Sequence, residues 1–119
     1  MKKFLNRVQC AFKRILVALK EERNMKIHAC FVILVSLAGL LLKISLVEWL
    51  CCLFCFALVI SMELINTAVE NFVDFVEPKY NEKVGKVKDI SAGAVLINAL
   101  FSIIIGLIIF LPKIIHLFF

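Results

Sequence analysis

A chain of 119 residues that is 63% hydrophobic, with a mean hydropathy of +1.02, lies far from the roughly 45–50% apolar content of soluble globular domains. Its net charge of +5 comes from 14 Lys and Arg set against 9 Asp and Glu. This composition describes a single-domain, all-α integral membrane protein with space for about three spans of roughly 20 residues each, and it leaves none for a separate soluble domain.

Residues 1–20 place Phe4, Leu5, Val8, Phe12, Ile15, Leu16 and Leu19 on one helical face and Lys2, Lys3, Arg7, Lys13, Arg14 and Lys20 mostly on the other. That pattern predicts an amphipathic surface helix attracted to anionic head groups, and no nucleic-acid partner is expected for its cations. The first span follows at residues 27–42. Its apolar run starts some 26 residues into the chain, too far from the first cations for a cleaved signal peptide, so it is expected to be retained. The second span covers residues 46–76 and ends at Pro78, whose ring removes a backbone donor and pushes Glu77 out of helical geometry. A polar loop from Glu77 to Lys88 leads to the third span, residues 89–111, with Asp89 and Ser91 expected to open the helix and Pro112, Lys113 and His116 marking the far interface.

Eight basic residues precede the first span, Lys43 lies in the first turn, four lysines occupy the second loop and Lys113 follows the third span. By the positive-inside rule the N-terminus and second loop are expected to be cytoplasmic, with the first turn and C-terminus outside, and a cell-membrane location is expected. Five cysteines include a CxxC at Cys52 and Cys55, but the pair sits inside an apolar span with no second CxxC and no histidine beside it. These cysteines are small hydrophobes, not a metal site.

The chemistry is concentrated in Glu63-Leu64-Ile65-Asn66-Thr67-Ala68-Val69-Glu70. On a helix Glu63, Asn66 and Glu70 fall within about 60° of one another, so two carboxylates and a carboxamide share one stripe at the edge of the bilayer. A carboxylate at membrane depth costs roughly 2.5–3.5 kcal/mol on insertion scales, so its presence calls for a partner, a metal or a proton to handle. Glu21, Glu22, Asp74 and the Lys88-Asp89 pair converge on the same side. Such carboxylates suit Mg²⁺, which takes oxygen ligands and commonly bridges protein to substrate phosphates. A lysine beside them can offset phosphate charge, and the deepest acid, Glu63, can accept a hydroxyl proton. Glu70 lies about 10 Å further toward the cytoplasm. Taken singly, Asn66 also suits a plain interhelical hydrogen bond, and Glu21, Glu22, Asp74 and Glu82 also suit solvated interface charges. No GxxxxGK[ST] or GxGxxG occurs, which excludes the soluble nucleotide-binding folds.

The octapeptide, then Asp74, then Gly85-Lys86-Val87-Lys88-Asp89-Ile90-Ser91-Ala92-Gly93-Ala94-Val95, resembles the signature of the small prokaryotic diacylglycerol kinases, a family that includes the undecaprenol kinases. The resemblance covers nearly the whole chain. It implies a homotrimer with active sites shared between subunits, using ATP and Mg²⁺ to phosphorylate a membrane lipid alcohol. Glu63 then resembles the general base and Asn66 a residue placing the reacting groups. Glu22 and Glu70 resemble the metal ligands, Lys88 and Asp89 nucleotide contacts, and Lys86 and Glu82 further positions near the nucleotide. The stretch Glu22-Arg23-Asn24-Met25-Lys26-Ile27-His28 is similar to the branch that prefers a C55 polyprenol, with His28 its most telling residue, whereas Arg14 stands where relatives often carry a small residue. Phosphorylation of diacylglycerol is the alternative substrate reading. A small oligomeric proton or cation transporter is the alternative of another class, opposed by the almost purely apolar outer halves of all three spans.

Overall fold

The computed structural model describes residues 1–119 as four helices: α1, Lys2–Glu21; α2, Arg23–Leu42; α3, Leu46–Val76; and α4, Glu82–Phe118. The last three are long and apolar enough to cross a membrane. Of 98 backbone–backbone hydrogen bonds, 90 close inside helices, as hydrocarbon demands of any segment that crosses it. α3 packs most extensively against α4, α2 against α3, and α1 against α2. At 1.5 Å per residue α4 measures about 55 Å. That length accounts for the 56 Å long axis of the molecule.

Only eight residues are buried, and two of these, Glu63 and Asn66, are polar. The apolar surface of α2, α3 and α4 faces outward, with Phe54, Ile90 and Ile108 among the exposed side chains. In lipid such a surface needs no cover, and helices associate through close packing and polar contacts instead. A small core of Ile44, Cys52 and Ile109, flanked by Val35, Trp49 and Phe56, joins the three long helices near the α2–α3 turn.

The connections follow from local chemistry. Glu22 alone separates α1 from α2. Its backbone is extended (φ −87°, ψ 123°), its N–H donates to the Ala18 carbonyl, and its own carbonyl accepts from Lys26 N–H. Between α2 and α3 the chain reverses in three residues. Lys43 adopts the left-handed conformation (φ 53°, ψ 56°), and the N–H groups of Lys43 and Ile44 both return to the Gly39 carbonyl. Ser45 and Glu48 then form a reciprocal capping box: Glu48 N–H donates to Ser45 Oγ at 3.2 Å, and Ser45 N–H donates to Glu48 Oε1 at 2.9 Å. α3 stops at Val76 with Glu77 extended before Pro78, as the proline predicts.

Two expectations about the third span need correction. The helix opens at Glu82, capped by Asn81, whose Oδ1 accepts from Val84 N–H at 2.9 Å, and not at Asp89 or Ser91. Residues 82–88 carry no apolar stripe to announce a helix, yet Glu and Lys are good helix formers and an Asn cap suffices to start one. Pro112 lies inside α4, which continues to Phe118. Near a membrane-helix end the loss of one hydrogen bond to the Ile108 carbonyl is tolerated.

Ion pairs mark both ends of the α3–α4 hairpin. Lys113 Nζ lies 3.1 Å from Glu48 Oε1 at the open end, beside the α2–α3 turn, and Lys88 Nζ lies 2.5 Å from Asp74 Oδ1 near the α3–α4 loop. The pairs are 26 residues apart on α3 and 25 on α4, so both ends report one antiparallel register with no slip between them.

Gly39 is where the turn leaves no space. A Cβ added there would stand 2.8 Å from the Trp49 ring and 3.1 Å from Ile44 Cδ1. Gly39→Val is therefore expected to destabilise the hairpin by about 1–3 kcal/mol through overpacking, read as a lower unfolding midpoint in detergent micelles; an unchanged midpoint would show that Trp49 moves freely.

Candidate functional site

The stripe predicted on α3 is present as one surface of a continuous helix. Glu63 is 2% exposed and Asn66 6%, the two polar side chains that the fold buries. Glu70, half-buried, accepts a long hydrogen bond of 3.4 Å from Asn66 Nδ2. That bond uses the donor half of the carboxamide. Asn66 Oδ1 is buried with no partner, an acceptor held ready for a donor that the chain itself does not supply.

α2 adds one side chain to this stripe. His28 Nε2 lies 3.5 Å from Glu63 Oε2, with the imidazole 16% and the carboxylate 3% exposed. No lysine or arginine comes within ion-pair range of Glu63. One turn beyond Glu70, Asp74 is engaged by Lys88 from α4. The structure therefore gathers Glu63, Asn66, Glu70 and His28 into one group and Asp74 with Lys88 into a second. Glu22 sits half-buried at the α1–α2 break, and Glu82, Lys86 and Asp89 are exposed on the first two turns of α4. None of these four makes a side-chain hydrogen bond or ion pair within the chain.

No group of three or more carboxylate, imidazole or thiol side chains that could enclose a metal ion exists within the chain. The donor set nevertheless fits Mg²⁺, which is usually held by one or two carboxylates together with phosphate oxygens and water. Glu70 accepts only from a neutral amide and Glu22 from no side chain, so neither carboxylate is held in an ion pair.

The space on the turn side of His28 is apolar. A cavity of about 350 Å³ lies between α2, α3 and α4, with His28, Phe31, Cys55, Phe56, Ser102 and Phe110 among its lining residues. Spacing in the sequence singles out Glu63, Asn66 and Glu70, but not the approach of His28. The signal for that approach is depth: His28 lies 14 residues from the α2 end of the turn and Glu63 lies 17 residues from the α3 start, nearly the same height above it. Glu48 and Lys113, acid and base at matching ends of consecutive spans, are legible in the same way.

A carboxylate buried in a protein with three apolar, membrane-length helices, with further carboxylates and lysines at the adjoining helix ends, marks a candidate functional site. Comparison with known proteins supplies the family. The sequence pattern of the prokaryotic diacylglycerol kinases matches residues 9–110, and the chain belongs to that family of lipid kinases. It is 40% identical over 94 residues to the undecaprenol kinase of Bacillus subtilis, a match covering 79% of this chain and 76% of that protein. It is 35% identical over 101 residues to the diacylglycerol kinase of Synechocystis, covering 84% of this chain and 58% of that protein.

The unpartnered oxygen of Asn66 makes a separable prediction. Asn66→Leu removes a buried acceptor without a bond to lose on that side, so the unfolding midpoint in micelles is expected to hold or rise, corresponding to a change within about 1 kcal/mol. Kinase turnover is expected to fall sharply in the same variant. A protein that loses stability and keeps turnover would show that Asn66 serves structure alone.

Proposed function

We propose that the protein transfers the γ-phosphoryl group of ATP to undecaprenol, giving undecaprenyl phosphate. The observation that carries this reading is the placement of Glu63, almost fully buried at lipid depth on the same helical face as Glu70, which lies about 10 Å nearer the polar end. On this reading one acid serves the membrane alcohol and the other the water-borne phosphate. The preference for undecaprenol is supported by the higher identity and fuller coverage of the match to the Bacillus enzyme. Diacylglycerol is the second reading, supported by the Synechocystis relative. A proton or cation transporter finds no support in the apolar outer halves of the spans.

In this reaction Glu63 accepts the hydroxyl proton as the alcohol oxygen bonds to the γ-phosphorus and the bond from that phosphorus to the β–γ bridging oxygen breaks, releasing ADP. Asn66 Oδ1 orients the donor entering beside Glu63. Glu70 and Glu22 would hold Mg²⁺, which when bound offsets charge on the phosphates. Lys88, Asp89, Lys86 and Glu82 contact the nucleotide, Lys88 by exchanging Asp74 for phosphate. The apolar cavity beside His28 receives the part of the lipid chain next to the hydroxyl.

The same reading sets the assembly and its orientation. The N-terminus and the α3–α4 loop face the cytoplasm, where ATP is available, with α1 on the membrane surface and residues 27–42, 46–76 and 89–111 forming the spans of one kinase domain. Three copies form a homotrimer with shared sites, consistent with a Glu22 carboxylate that has no partner in its own chain.

Purified protein in lipid nanodiscs with Mg·ATP is expected to phosphorylate undecaprenol in preference to diacylglycerol. Transfer to neither alcohol would refute the reading. Glu63→Gln is expected to lower kcat by about 10²–10⁴-fold, the usual range for loss of a general base. Glu70→Gln is expected chiefly to raise the Mg²⁺ concentration required. Full turnover in Glu63→Gln with none in Glu70→Gln would overturn the base assignment.

A further inference from the structure

We propose that His28 is the positioning residue for Glu63: its Nε2–H holds Glu63 Oε2 and leaves Oε1 directed at the hydroxyl to be deprotonated. The inference rests on Glu63 being the base, and goes beyond it by assigning what aims that base.

A glutamate on a helix turns about three side-chain torsions, so its carboxylate needs a fixed donor if one oxygen is to point consistently at a substrate. The choice of donors at Glu63 is narrow. Asn66 directs its amide hydrogens to Glu70, and Lys88 is taken by Asp74. His28 alone approaches from a different helix, at 3.5 Å, and it is itself largely shielded from solvent. That separation exceeds a formed hydrogen bond by a few tenths of an ångström, a gap of the kind that closes when substrate enters an active site. Because α2 and α3 are joined by a three-residue turn, the height of His28 above that turn is fixed by helix length and not by a mobile loop. The ring is also the only imidazole lining the apolar cavity between α2, α3 and α4. A lipid alcohol whose chain enters there brings its hydroxyl past the same ring that holds the base.

The test compares steady-state kinetics of His28→Gln, His28→Leu, His28→Asn, Glu63→Gln and the Glu63→Gln/His28→Leu double variant in nanodiscs. Gln keeps an N–H near the position of Nε2, Leu removes it, and the shorter Asn withdraws it. His28→Leu and His28→Asn are expected to lose kcat by about tenfold or more, as misplacement of a catalytic group does, with KM for ATP within about twofold of the native value. His28→Gln is expected to restore kcat to within about threefold of native. The double variant is expected to be no slower than Glu63→Gln alone, since residues acting as one unit do not add. Unfolding midpoints in micelles accompany each measurement, and His28→Asn decides the question if the leucine variant does not fold. Native kcat in His28→Leu or His28→Asn, equal loss in Gln and Leu, or multiplied losses in the double variant would each overturn the assignment of His28 while leaving Glu63 as base. Native kcat in Glu63→Gln would instead overturn the base itself, and this inference with it.

Discussion

The arrangement depends on a mismatch between helix length and bilayer thickness. A hydrocarbon core of about 30 Å is crossed by about 20 helical residues. α2 has 20, whereas α3 has 31 and α4 has 37. The excess in α3 and α4 must project, and the register fixed by the Glu48–Lys113 pair decides where. Measured from that pair, Glu63 stands about 22 Å along α3, Glu70 about 33 Å and Asp74 about 39 Å; a hydrocarbon core of about 30 Å with its edge at the pair would enclose Glu63 and leave Glu70 and Asp74 beyond it. A single unbroken helix thus carries a buried acid, a boundary acid and a solvated acid in fixed order, with no hinge to blur the spacing.

A rigid helix solves the problem of distance but sharpens the problem of charge. A carboxylate inside the hydrocarbon layer is costly wherever it is left alone, and proteins admit one chiefly where it faces a partner or a substrate path. Here the partner comes from α2. From His28 to Leu42 is about 21 Å and from Leu46 to Glu63 about 26 Å, so the short turn brings imidazole and carboxylate to within about one helical turn of the same height from opposite arms of the hairpin. The tight packing of Gly39 on Trp49 that shapes this turn therefore bears on the meeting of His28 and Glu63 some 20 Å away. Any slack there would appear as a vertical offset between His28 and Glu63.

Much of this is legible in the amino-acid sequence alone. The three apolar runs, the stop at Pro78 and the Glu63/Asn66/Glu70 stripe follow from hydropathy and helical period, because lipid imposes the first and backbone geometry the last. The start of α4 is not legible by the same means. Hydropathy marks where a helix enters lipid, not where it begins, and the solvated turn at residues 82–88 is decided by an asparagine cap and by the propensities of Glu and Lys. Pro112 misleads for the opposite reason, since a helix end in or near a membrane has nowhere better to place its backbone than in continued helix. The approach of His28 to Glu63 escapes sequence reading because contacts between helices depend on register, which a single span does not reveal. The two ion pairs show how register can be recovered: opposite charges separated by 26 and 25 residues on consecutive spans fix the offset of both.

The absence of a glycine-rich phosphate loop follows from the kind of chemistry proposed. Phosphoryl transfer asks a protein for little covalent participation; it asks for alignment and for charge at the phosphates. Alignment here comes from helices held at both ends. The nearest fixed positive charge is Lys88, yet it is committed to Asp74, and that pair is substantially solvent-exposed, with side chains 33% and 57% accessible. Exposed ion pairs are weakly held and easily exchanged. A polyphosphate arriving beside Glu70 can therefore compete for Lys88 on favourable terms, because it offers several oxygens and more charge than one carboxylate. Asp74 would serve to keep the lysine extended toward the stripe until then, so that in the proposed reaction the cation is already in place when the nucleotide arrives.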